Sequence, residues 1–228
     1  MEILVVSKTH MPNAACVGGL ILATKRYIRL LNDGNYNQPA NTDFKVGDIY
    51  DITFTDRTNL FPPHIEDVIV TSKTFIRRVD NMANFLAQLN VIDWNGHIDN
   101  LYSGLLSFTN SGTGYIPINS QMPIKSVGFW VADRDLIRVS FENKVRFRYP
   151  NGTNYRNISY VGFQETIAII PAGTILRVSL SRLFPHENSG INAPRGYYLQ
   201  LSGWYQTVQI NNQEVRTNLD DKYDDLPF

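Results

Sequence analysis

In the run Lys144-Val145-Arg146-Phe147-Arg148-Tyr149, cations recur at every second position. A strand alternates its side chains between two faces, so this spacing puts Lys144, Arg146 and Arg148 on one face and Val145, Phe147 and Tyr149 on the other. The residues that follow, Pro150–Arg156, read as a hairpin tip that adds Tyr155 and Arg156. From Asp133 to Arg156 there are six basic and three acidic residues, the most basic stretch of the body. A row of cations beside aromatic rings suits a flexible polyanion. The cations track phosphates, and each stacked base adds about 1–3 kcal/mol without sequence readout. The plainer alternative is a solvated strand face that carries Lys and Arg for solubility. A smaller version of the pattern lies near the N-terminus. There Lys25, Tyr27 and Arg29 would share one strand face, with Lys8 and His10 in the loop after the first strand. Lys on an edge strand also blocks aggregation, which is the competing account of that set.

Catalytic chemistry has little to stand on. His10, His64, His97 and His186 are scattered and fall in no helical His-Glu-x-x-His or Cys/His metal pattern. His64-Ile65-Glu66 could place two ligands on one strand face, but Pro62-Pro63 before it favours a structural role at a loop edge. Cys16 precedes an apolar strand and reads as packing rather than as a nucleophile. Gly18-Gly19 opens no helix and has no Walker lysine, so it reads as a bulge or barrel bend. The expectation is a binding protein, not an enzyme, with no cofactor and no metal.

The 228 residues suffice for one large or two small domains. Lys plus Arg and Asp plus Glu both total 21. Four Asp and one Lys fall within residues 218–228, so the remaining body holds twenty basic and seventeen acidic side chains. That mild excess is well short of a protein that coats duplex DNA. A single cysteine excludes an internal disulfide framework and fits a reducing compartment. The start, Met1-Glu2-Ile3-Leu4-Val5-Val6, lacks the basic residues of a signal peptide, and no apolar run approaches the roughly 18 residues of a membrane span. These features predict a cytoplasmic protein without membrane contact, in which the sequons at Asn151 and Asn157 carry no glycan implication.

The elements that would position these groups are mostly strands. Ile3–Ser7, Cys16–Ala23, Arg26–Leu31, Gly47–Thr55 and Ile65–Val79 read as strands of a first unit, with Thr24-Lys25 as a two-residue hairpin connection. Asp80 resembles an N-cap ahead of Met82, Phe85, Leu86 and Leu89, which predicts a helix over about 81–90. A weaker helical pattern follows at Ile98, Leu101, Tyr102 and Leu105, and the Ser/Thr/Asn/Gly-rich stretch 107–121 has the composition of a linker. Lys125–Ala132, Leu136–Tyr149, Ser159–Phe163, Gly173–Arg182 and Tyr197–Tyr205 read as strands of a second unit. Phe129, Trp130, Tyr198, Trp204 and Tyr205 are expected in its core. About five strands in about 90 residues, twice over, suggest an all-β protein of two small OB-like barrels. The expected organisation is a first barrel over 1–79, a helical connector and linker over 80–121, a second barrel over 122–215 and an acidic tail over 216–228.

The tail, with four Asp, no periodicity and Pro227 beside the terminus, reads as a disordered docking peptide. Phe228 offers a ring and a carboxylate at one end, while Asp220, Asp221, Asp224 and Asp225 would steer it to a basic rim. Its last residues, Asp224-Asp225-Leu226-Pro227-Phe228, resemble the tip of bacterial single-stranded DNA-binding proteins. That resemblance implies recruitment of DNA-processing proteins, although the body departs from that family's single OB domain. The body instead resembles a bacterial family described as carrying dual OB-containing domains. The segments that carry this resemblance are Ser7-Lys8-Thr9-His10-Met11, Cys16-Val17-Gly18-Gly19, Ile28-Arg29-Leu30-Leu31, Pro63-His64-Ile65-Glu66-Asp67-Val68 and Leu199-Gln200-Leu201-Ser202-Gly203-Trp204-Tyr205. It spans nearly all of 1–210 and implies a fold, with no established activity. The expected partner of the barrels is single-stranded DNA, with RNA and a protein-binding adaptor role as alternatives.

Overall fold

The computed structural model describes residues 1–141, 144–185 and 191–206. The acidic segment 216–228, from which Asp220, Asp221, Asp224, Asp225, Leu226, Pro227 and Phe228 were singled out, lies outside the described residues. In chain order the first part comprises β1 (Glu2–Met11), β2 (Ala14–Ile21), β3 (Tyr27–Leu31), β4 (Gln38–Pro39), β5 (Asp48–Asp56), β6 (Asp67–Arg78) and α1 (Met82–Leu89). Then come β7 (Trp94–Gly96), a 3-10 stretch over Ile98–Gly104, β8 (Ser107–Phe108), β9 (Gly114–Pro117) and β10 (Val127–Ala132). The last strands are β11 (Leu136–Phe141), β12 (Lys144–Asn151), β13 (Asn154–Tyr160), β14 (Ile169–Ile170), β15 (Ile175–Leu180) and β16 (Gly196–Tyr205).

The first sheet closes on itself in the order β1-β2-β3-β6-β5-β1, every neighbouring pair antiparallel except the parallel pair β3–β6. Closure requires β1 to serve two partners. It does so through a register shift at Val5/Ser7 opposite Gly18 and Gly19, the bend expected at those glycines. Gly18 is obligatory there, because a Cβ would sit 2.3 Å from Ser7 Oγ. The second sheet runs β11-β12-β13-β16-β15-β10, again with one parallel pair, β13–β16. Its two ends are consecutive in the chain: β10 and β11 are halves of one bent strand, broken at 133–135, which pair with β15 and β12 respectively. Both halves of the protein are therefore five-stranded barrels of one connectivity, the OB arrangement.

Several expectations change in detail. Leu136–Tyr149 is two strands, because the cations of β12 pair back onto β11, and the predicted strand at Ser159–Phe163 lies earlier, as β13. The Thr24-Lys25 connection is a longer turn between Ile21 and Tyr27, with Lys25 itself at φ 58°. The cap of α1 is Asn81 rather than Asp80: its Oδ1 accepts the Asn84 amide at 2.9 Å. The weak helical pattern at 98–105 is 3-10 structure interrupted by non-helical backbone at Leu101, Tyr102 and Ser103. The linker-like stretch 107–121 carries β8 and β9, and β9 pairs with β16.

Each barrel has its own apolar interior, and a third cluster joins them. Leu4, Val6, Leu20, Tyr27 and Ile49 of the first barrel meet Phe129, Ile175 and Tyr205 of the second, with Val79, Ala83, Leu86 and Val91 of the connector filling the seam. Glu66, 6% exposed, reaches across and accepts from the Ser126 amide (2.6 Å) and hydroxyl (2.9 Å). The Tyr205 hydroxyl donates to the Val6 carbonyl. A seam this apolar is expected to couple the barrels into one cooperative unit. Phe129→Ala, at a fully buried position, is expected to cost about 3–5 kcal/mol. In urea, tryptophan fluorescence, which reports Trp94, Trp130 and Trp204 of the second half, should shift together with far-UV circular dichroism. Separated transitions would contradict the coupling.

Candidate nucleic-acid interface

The alternation read from the sequence is present in β12. Phe147 and Tyr149 are fully buried inside the second barrel, while Lys144 and Arg148 are exposed and Arg146 is half-buried on the outer side. Register builds the rest of that face. Arg146 lies between Val139 of β11 and Ser159 of β13, and Arg148 between Ile137 and Asn157. Tyr155, 47% exposed, stands opposite Pro150 on the same face, 5.4 Å from the Arg148 guanidinium to its ring centre. Tyr155 and Arg156 belong to β13 rather than to a hairpin tip, since Asn151 already pairs with Asn154. Arg156, opposite Tyr149, is off the cation row, and its guanidinium lies 3.9 Å over the Phe108 ring.

An open groove of ≈ 390 Å³ runs along this edge, lined by Arg148, Tyr155, Arg156, Asn157 and the 109–112 turn. The turn is fastened to β13: the Asn157 amide donates to the Gly112 carbonyl at 2.8 Å, and Asn157 Nδ2 to the Ser111 carbonyl at 2.5 Å. Gly112 has φ 78° and approaches so closely that a Cβ would meet the Tyr155 carbonyl oxygen at 2.3 Å. These turn residues were missed because their composition is that of a linker. The signal present was the Thr109, Ser111, Thr113 alternation, whose hydroxyls bond one another across the turn.

The N-terminal set does not assemble into a second face. Tyr27 is 8% exposed, its hydroxyl donating to Asp93 Oδ2 at 2.6 Å with the Val91 carbonyl 3.0 Å away. Burial pushes that phenol well up, against the opposing charge of Arg177. Its ring is covered by the Arg177 guanidinium at 4.5 Å, so no base can stack there. Arg29 forms a two-pronged bond to Asp67, Nε to Oδ1 and Nη2 to Oδ2, each 2.6 Å. The reason is topological: β2 and β3 are the second and third strands of the first barrel, and their outer face is turned against the second barrel. Lys25 is exposed, but in a turn that lines a groove at the seam with Arg26, Ile65, Ile124 and Lys125. Lys8 donates to the Thr42 carbonyl at 3.0 Å and lies 5.1 Å over Phe163, whose ring stacks on His10 at 3.7 Å. That is where Thr9 bridges to Gly162 of the second barrel. Neither lysine joins the β12 row. Tyr198, expected in the core, is only half-buried.

A family model described as the dual OB-containing domain matches residues 1–204. The chain belongs to that family. No curated protein matches it significantly in sequence. Solved structures that resemble it include the Ifi202 HINa domain in complex with 20-bp double-stranded DNA, at 10% identity, covering 91% of this chain and 96% of that one with a TM-score of 0.33. Another is a murine DNA-binding protein bound with double-stranded DNA, at 10% identity, covering 92% and 96% with a TM-score of 0.30. A third is the p204 HINb domain, at 9% identity, covering 88% and 95% with a TM-score of 0.30. Likeness at this level carries no argument about what the dual OB chain binds, which rests on its own residues.

Charge at the seam has a titratable member. Burial works to raise the Asp67 carboxyl, but the Arg29 bond, with Arg57 at 3.0 Å and Arg182 at 3.4 Å, outweighs it and holds the group below its ordinary range. His64 donates from Nε2 to the Ser181 carbonyl of the second barrel at 2.9 Å. Burial, reinforced by the Arg182 charge, pushes its pKa from 6.5 down to about 4. Below pH 6.5 the unfolded chain binds a proton there that the folded chain refuses until about pH 4. Stability present at neutral pH is therefore lost across that window, on the order of 2–3 kcal/mol. His64→Gln keeps a donor toward Ser181 and is expected to lose less stability between pH 7 and pH 4.5 in urea titrations. An equal loss in both proteins would show that another group sets the slope.

Proposed function

We propose that this protein binds single-stranded nucleic acid, DNA in the first instance, along the outer face of β12 and β13, and that its acidic end recruits DNA-processing proteins. The observation that carries the reading is the placement of Lys144, Arg146 and Arg148 beside Tyr155 on the second and third strands of an OB barrel, where such barrels take oligonucleotides. Ion pairing distinguishes two members of this face, Lys144 and Arg148, from the cations at the seam and on the first barrel. Arg26, Arg29, Arg57, Lys73, Arg78 and Lys125 each pair with an aspartate. Lys144 and Arg148 pair with no carboxylate among the described residues. Their charge is available to phosphates without breaking an internal bond, and the neighbouring ring supplies a stacking surface. A strand contacted in this way is held through backbone and base faces, which suits a binder with little sequence preference.

Labelled oligo-dT should bind the protein with a salt-dependent affinity. A K144E/R148E variant is expected to bind more weakly at every length and to lower the salt slope by about 1.4, the value for two phosphate contacts to a single strand. No binding by the native protein at about 50 mM salt, with its fold intact, would overturn the reading in favour of a protein adaptor. Recruitment rests on Phe228, since burying its ring is worth about 1.5–3 kcal/mol. A peptide of residues 220–228 should bind an enzyme that takes single-strand-binder tips, and removal of Phe228 should weaken it by about 10- to 100-fold. Equal binding by both peptides would rule out the aromatic anchor.

A further inference from the structure

We propose that a second groove, lined by Phe108, Tyr115, Phe184 and Tyr198, is a nucleobase-binding subsite that carries a single strand onward from Tyr155. The inference rests on the single-strand reading above and extends it to residues outside the cation row. This groove, ≈ 580 Å³, shares Thr109, Asn110 and Ser111 with the groove beside Arg148, so the two are the two sides of one turn. Their chemistry differs. Arg148 and Arg156 line the first, whereas no Lys or Arg is among the described residues that line the second. The second instead gathers aromatic rings. Tyr115 and Tyr198 are directly opposed in the β9–β16 ladder, and their rings stack at 5.4 Å with 22° between planes. Phe184 meets Tyr198 edge-on at 5.7 Å, which supports the pair from one side.

The rings are held in place before any ligand arrives. The Tyr198 hydroxyl donates to the Pro194 carbonyl at 2.6 Å, and its backbone amide donates to Ser181 Oγ at 2.9 Å. A closed core would seal such rings, but Phe184 remains 38% exposed and Tyr115 and Tyr198 are half-buried on an open groove. Asn110, Ser111 and Asn192 on its walls add donors and acceptors suited to base edges. Cations that track phosphates on one side of a turn, and aromatic faces with amides on the other, are the two halves of single-strand recognition. The chain portion that supplies Tyr115 is the hairpin β8–β9, which has no counterpart in the first barrel.

An oligo-dT series of about 4 to 16 nucleotides tests the subsite. Y115L/Y198L keeps apolar bulk in place of the rings, and circular dichroism checks its fold. Native affinity should step upward once the strand is long enough to enter the second groove. The variant should bind the shortest ligands as the native protein does and lose about 5- to 100-fold on those beyond the step. Equal affinity at all lengths, or an equal loss at all lengths, would overturn the subsite while leaving the cation face intact. Failure of the native protein to bind any length would remove the parent reading as well. Abasic scanning of the longest ligand on the native protein gives a second readout that needs no substitution. One or two abasic positions should reproduce the variant's loss, and a uniform response along the strand would again overturn the proposal.

Discussion

The arrangement turns on the seam between the barrels, and at its centre on Arg177. This side chain is 1% exposed, with its guanidinium 4.5 Å over Tyr27 and 5.1 Å over Phe129. A buried cation is costly unless compensated, and here the compensation is largely the two ring faces. Gly18 lies beside this cation, and a Cβ there would meet Ser7 Oγ at 2.3 Å while only touching Arg177 at 3.9 Å. Glu66 on Ser126, Arg182 on Asp67 and His64 on Ser181 add directional bonds around the apolar cluster. Apolar burial alone would tolerate sliding. These polar contacts accept one docking of the two barrels.

That docking decides which surface is left for ligands. Two barrels of one connectivity each offer an outer face on their second and third strands. In the first, Tyr27 and Arg29 on that face are consumed by the seam. In the second, the same strands turn Lys144, Arg146 and Arg148 outward. The difference does not come from residue types, since both strands carry basic and aromatic side chains. It comes from Asp67 and Asp93, which neutralise Arg29 and Lys125 and anchor Tyr27, while Lys144 and Arg148 pair with no acid among the described residues.

Much of this was legible in the sequence because strand periodicity is local. The period-two alternation in 144–149 set the inward and outward sides of β12 correctly, and the Gly18-Gly19 bend, the strand content and the family resemblance all agree with the structure. What was not legible depends on partners distant in the chain. Tyr27 and Arg29 looked like Arg148 and Tyr155 by type and spacing; only the apposition of Asp67, Asp93 and Arg177 separates them. Segment 107–121 reads as a linker by composition because its strands are two and four residues long, and their stability comes from pairing with β16 and β13 rather than from intrinsic preference. The division of Leu136–Tyr149 into β11 and β12 was also hidden, since the residues on both sides of it continue a strand-like pattern, whereas the break at 133–135 fell where the sequence put it.

The insertion of β8–β9 shows how two barrels of one connectivity can diverge without any change in their strand order. The hairpin leaves the five-strand connectivity untouched: β9 pairs with β16, and its Ile116 joins the second barrel's apolar cluster. The hairpin also raises one ridge, the 109–113 turn, held by Asn157 and made possible by Gly112. On a smooth barrel the cation row would be a flat patch, where a flexible polymer gains charge contacts but no enclosure. The ridge gives that patch a wall, and its far side a second concavity in which Tyr115 and Tyr198 face each other across two strands. A flat electrostatic surface distinguishes charge alone, while a walled one also constrains the path of the chain it holds. For the proposed single-strand ligand, such a wall sets the path from the cation row toward the aromatic groove.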